Sequence, residues 1–105
     1  MEASDDDRDI AIELANLYFE LTDEELVGLK EAANTGQRET VSAIAHKCSG
    51  SSAACGISGL ANLLKSLELD TKQGLPDDLQ ERLGKIDAEM NAARAALGTH
   101  FNCAF

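Results

Sequence analysis

The stretch 79–97, LQERLGKIDAEMNAARAAL, decides the fold. Leu79, Leu83, Ile86, Met90, Ala93 and Leu97 recur along it at alternating intervals of four and three residues. An α-helix turns once in about 3.6 residues, so this alternation gathers the apolar side chains into one narrow seam. A strand would send successive side chains to opposite faces and scatter the same residues. A seam of this kind is buried against other helices, as in a bundle.

Working back from that helix, Pro76 suits its first turn, where the missing N–H costs nothing. Residues 70–76 read as a polar loop, and before them Ile57, Leu60, Leu63, Leu64 and Leu67 form another apolar stripe that starts after Gly56. A further helix covers about residues 37–55. Upstream, Thr22 with Glu25 three residues later has the capping-box pattern, which predicts a helix start there. Its apolar positions are Leu26, Leu29 and Ala33, and Gly36 is suited to close it in a left-handed cap. From Asp7 a leading helix carries Ile10, Leu14, Leu17, Tyr18 and Leu21 at helical spacing. The expected fold is all-α: an up-down antiparallel four-helix bundle with a short additional N-terminal helix. Residues 1–6 are expected to be flexible, 7–97 to form the bundle, and 98–105 to be a tail. In that tail Phe101 and Phe105 either pack back on the bundle or belong to a linker.

A chain of 105 residues fits one domain with a real core. Aromatic residues make up only 4% and Pro occurs once, which favours helices over a sheet. The net charge of −10 opposes binding to nucleic acid or to an anionic membrane surface. A soluble partner with a basic docking face is compatible with it. Three cysteines at Cys48, Cys55 and Cys103 make no disulfide framework. Cys48 and Cys55 on one helix lie about 10 Å apart along its axis, too far for a disulfide. With an acidic N-terminus and no apolar run of about 20 residues, the chain reads as cytoplasmic.

The helix over 41–55 carries the chemistry. On a wheel, Val41, Ile44, Cys48, Ser52 and Cys55 cluster on the side expected to face the core. His46 lies nearly opposite, and its own face holds Ser42, Ser49, Gly50 and Ala53, all small. Solvent-facing helix surfaces usually carry long charged side chains. Gly50 within a helix costs about 1 kcal/mol relative to Ala, and close approach of a partner or a neighbouring helix is the usual reason for such a residue. The competing reading is an ordinary surface histidine with small residues as filler. His100, without periodic surroundings, reads as incidental. A metal site joining His46 with Cys48 and Cys55 is disfavoured because these point to opposite sides of the helix.

The run Ala45-His46-Lys47-Cys48-Ser49-Gly50-Ser51-Ser52, with Gly56, Leu60, Leu64 and the pair Leu67-Glu68, resembles the signature of histidine-containing phosphotransfer (HPt) domains. Phe19, Leu26, Leu29 and Ala32 sit where that family carries its upstream helices, and the resemblance spans about residues 10–69. It implies that His46 accepts a phosphoryl group from a receiver-domain aspartate and passes it to another receiver. Ser42, Lys47, Ser49, Gly50 and Ala53 would then be partner contacts. The partners implied are the receiver domains of response regulators or hybrid histidine kinases. No cofactor is expected on the chain, and Mg²⁺ is expected in the receiver.

Two positions depart from the pattern. Cys48 replaces a Leu, a tolerable exchange because free Cys behaves as a small hydrophobe. Ser49 replaces a Lys that, in the family, stands one helical turn from the histidine and offsets phosphoryl charge. Lys47 is expected to replace that cation in part. No Gly-rich phosphate loop precedes a helix, so the chain is expected to be a phosphocarrier without kinase activity of its own. Two alternatives stay open: a helical interaction or adaptor module that is not phosphorylated, and a thiol sensor using Cys48 and Cys55.

Overall fold

The computed structural model describes the backbone of residues 3–105 and the side chains of residues 7–105. Residues 1–2 of the expected flexible N-terminus lie outside the described residues. Four helices follow one another: α1 (Ala3–Asn34), α2 (Arg38–Ala54), α3 (Ser58–Thr71) and α4 (Leu79–Phe101). The described residues contain no strand. Helix α1 packs against α2 and α4, and α3 packs against the same two, so the four helices close a ring around one core. Leu29, Val41, Leu60, Leu64, Leu67 and Ile86 are fully buried in that core. Burying such a side chain contributes about 1.5–3 kcal/mol.

Helix α1 corrects the expected short leading helix. Its 32 residues run without a break through Thr22, which is 1% exposed. The capping-box pattern at Thr22 and Glu25 marks no start, because burial of Thr22 beside Tyr18 favours continuing the helix over capping a new one.

The α1 stripe is also corrected. Tyr18 and Phe19 are buried, whereas Ile10, Leu14, Leu17 and Leu21 are half exposed or more. The reason is direction. Tyr18 turns inward, its Oη sharing a 2.6 Å hydrogen bond with Ser52 Oγ of α2, whereas Leu14, Leu17 and Leu21 lie on an adjoining face and border an open groove with Ser51 and Cys55.

Two turns have one cause. Gly36 (φ 69°) and Gly56 (φ 77°) adopt the left-handed conformation that closes α1 and α2. The Gln37 N–H donates to Ala32 O and the Gly36 N–H to Ala33 O, and the Ile57 and Gly56 N–H groups repeat the pattern on Ser52 and Ala53. This double bond pattern satisfies carbonyls that a helix end leaves free. Pro76, by contrast, lies outside α4. The helix starts at Leu79 after a turn in which the Leu79 N–H donates to Pro76 O.

The boundary at residue 97 does not mark an end. Helix α4 continues to Phe101, and Asn102 in the left-handed region (φ 54°) closes it with the same bond pattern, Cys103 to Gly98 and Asn102 to Thr99. The chain then returns, so that Phe105 meets Phe19 with ring centroids 5.3 Å apart. The two aromatics of the tail therefore belong to the bundle.

Candidate functional site

Helix α2 presents its residues as burial dictates. Val41, Ala45, Cys48 and Ser52 are fully buried and Ile44 packs against the core, while Cys55, expected on that side, is exposed at the end of the helix. His46 stands on the outside, its side chain 69% exposed. A shallow hollow beside it is lined by Arg38, Glu39, Ser42, Ala43, His46 and Glu68.

Glu68 gives the site its geometry. It follows Leu60, Leu64 and Leu67 on the core stripe of α3, and its side chain is only 9% exposed. Its Oε2 lies 3.0 Å from His46 Nδ1, and its Oε1 3.2 Å from Lys65 Nζ. Burial by itself raises the Glu68 carboxyl, but the bonds from His46 and then Lys65 outweigh it and hold the group below its usual value. An ionised carboxylate can only accept, so the imidazole proton sits on Nδ1 and the lone pair on Nε2. That lone pair faces away from Glu68, on the exposed ring.

The other expected contacts divide. Gly50 and Ala53 are exposed and Ser42 is half-buried, so these remain beside the ring on the outer surface. A Cβ added at Gly50 would meet nothing within 4 Å, so no neighbouring helix requires the glycine. The open space lies on the solvent side. Ser49 is a correction: it is buried, and its hydroxyl donates to His46 O at 2.8 Å. A hydroxyl that bonds within its own helix and faces inward is not available to a partner as placed. Lys47 also turns aside. Its Nζ lies 3.2 Å from Glu25 Oε2 of α1, an ion pair without a directed hydrogen bond. That pairing takes its charge away from His46.

The match to known families fits this geometry. The family model described as Hpt domain matches residues 13–96, most of the chain. The chain belongs to the Hpt domain family. Comparison with curated proteins and with solved structures gave no match. As an Hpt domain it is a module of histidine phosphotransfer in two-component signalling, a family of phosphocarriers that work with receiver domains and histidine kinases.

Sequence reasoning missed the roles of Glu68 and Lys65 in this Hpt domain. Glu68 stands 22 residues from His46, beyond any helical period. A usable signal was nevertheless present: a carboxylate on an apolar stripe, four residues after Leu64, needs a partner. Among the described residues no group of three or more His, Cys, Asp and Glu is placed to hold a metal ion. No helix among them is long and apolar enough to cross a membrane.

Proposed function

We propose that His46 is the phosphorylated residue, taking the group from a receiver-domain aspartyl phosphate and returning it to a receiver aspartate. The observation that carries this reading is the polarised, exposed imidazole, with Nδ1–H tied to Glu68 and Nε2 open to solvent. In the forward step the Nε2 lone pair attacks phosphorus and a P–N bond forms. The P–O bond to the partner's aspartate breaks, its electron pair leaving on that carboxylate. The ring becomes an imidazolium whose Nδ1 proton faces Glu68. Positioning and electrostatic support suffice for such a transfer. Mg²⁺ in the receiver supplies the remaining positive charge, which is why His46 needs no second catalytic group on its own chain.

Ser42, Gly50 and Ala53 leave room for the receiver's backbone around the ring. The groove lined by Leu14, Leu17, Tyr18 and Leu21 adds an apolar border on the α1 side. We read the four helices as running alternately up and down and the module as cytoplasmic, without a resident cofactor.

The test uses a receiver domain loaded from acetyl phosphate. Wild type is expected to gain an acid-labile, base-stable phosphate, and His46→Gln none. Equal labelling of both removes His46 from the reaction. A wild type that binds loaded receivers yet takes no phosphate is the adaptor module instead.

A further inference from the structure

Ser49 leaves the site without the cation that the Hpt pattern places one turn from the histidine, and Lys47 is drawn to Glu25 on α1. Arg38 borders the same hollow, but its guanidinium donates to Thr71 O and Lys72 O at the end of α3 and lies 3.9 Å from Glu39. One further cation reaches the His46 cluster among the described residues. Lys65 projects from α3 with its side chain 53% exposed, and its Nζ bonds the carboxylate that holds Nδ1.

We propose that Lys65, acting through Glu68, sets the lifetime of the phosphohistidine at position 46. This rests on the reading that His46 is the phosphorylated residue. Hydrolysis of that phosphohistidine breaks the P–N bond as water attacks phosphorus, and the bonding pair returns to the ring nitrogen. The pair leaves most readily when the ring is protonated, because the departing group is then a neutral imidazole. Glu68 favours the proton on Nδ1, and the Lys65 ammonium shares the carboxylate's charge and moderates that pull. The charged groups facing the cluster are Glu39 and Arg38 from α2 and Lys65 and Glu68 from α3, with Lys47 and Glu25 paired toward α1. Removing the ammonium leaves the carboxylate to the imidazolium alone. The ring then holds its Nδ1 proton more firmly, and that shortens the life of the P–N bond.

Lys65 is a positioning residue, and its test needs no protein partner. Wild type, Lys65→Met, Lys65→Arg and Lys47→Met, all in a His100→Gln background, are phosphorylated with phosphoramidate. After removal of the donor, decay of the phosphohistidine is followed by phosphorus NMR at one fixed pH. Lys65→Met is expected to decay about two to five times faster, the scale of one half-exposed charge pair. Lys65→Arg and Lys47→Met are expected to match wild type. Equal decay of Lys65→Met and wild type overturns the proposal, and so does equal acceleration by Lys47→Met. Because phosphoramidate replaces the receiver, those outcomes leave the transfer reading intact. A wild type with no phosphate at His46 takes down both.

Discussion

A carboxylate drawn out of water must be compensated, and at Glu68 the compensation comes from the Nδ1–H of His46 and the ammonium of Lys65. The same contact fixes the ring's rotation and its tautomer, so removing it frees the nucleophile to turn. Glu68→Ala is expected to slow transfer from a loaded receiver by about ten- to a hundredfold, since roughly 1 Å of misplacement can cost as much. Rapid-quench kinetics against the unchanged helical content of the variant is the measurement, and an unaltered rate would deny Glu68 its role. The lowered carboxyl also has a consequence for pH. Its stabilising contribution is complete above the ordinary Glu range and is lost as pH falls through the lowered folded-state value. A carbon NMR titration should therefore show Glu68 protonating after the exposed glutamates. Cys48 behaves in the opposite sense: burial first, then Glu25, pushes its thiol up to about 12. In native protein near neutral pH, iodoacetamide is expected to modify exposed Cys55 and to spare Cys48 until denaturant is added. Equal modification of the two would contradict the packing of α2. The outward face of His46 with Ser42, Gly50 and Ala53 was legible in the sequence, because these share one helix and one period, whereas Ser49, counted with them, turns inward. The carboxylate that orients the ring was not, because it arrives from another helix through tertiary packing.

At the scale of elements, the seam of Leu79, Leu83, Ile86 and Met90 and the left-handed cap at Gly36 were readable because each rests on a local rule with little competition. Helix α1 shows where local rules mislead. Thr22 and Glu25 satisfy a capping pattern, yet the residues before them continue the helix, and tertiary burial of Tyr18, Phe19 and Thr22 decides the outcome. Periodicity likewise identifies an apolar stripe on α1 without saying which of its residues turn toward the core. Leu14, Leu17 and Leu21 line an open groove with Lys47, Ser51 and Cys55, next to the face that carries His46. Leu17 is 50% exposed, so Leu17→Asp is expected to change the melting temperature little. If the receiver rests on this border, the same variant should weaken docking by about fivefold or more, as loss of an apolar contact of about 1 kcal/mol or more implies. Saturation of the transfer rate with receiver concentration measures it. A variant with unchanged half-saturation would place the docking face elsewhere.

The molecule as a whole measures 54 × 19 × 19 Å, and its length comes from α1 and α4, which outrun the two shorter helices. Two long helices beyond the four-helix ring bury little against each other, so their far part needs additional ties. The aromatic cluster supplies them. Phe105 folds back on Phe19, the Arg94 guanidinium lies 4.8 Å from the centre of the Phe19 ring, and Arg94 also pairs with Asp23. Arg8 reaches across from α1 to the carbonyl of Phe101. These contacts join the chain's last residues to its first helix, and a reading that stops the bundle at residue 97 omits them. Phe105 is half-buried, so Phe105→Ala should cost about 1–2 kcal/mol, below the range for a fully buried Phe. Urea denaturation should register this as a lower midpoint with an unchanged slope, if the loss is one of packing alone. His46 is held by α2 and α3, and neither helix contributes a ring to the aromatic cluster. Phosphate acceptance by Phe105→Ala should therefore equal wild type at temperatures where both are folded. A parallel loss of acceptance and stability would mean instead that the α1–α4 extension and the His46 site move as one unit.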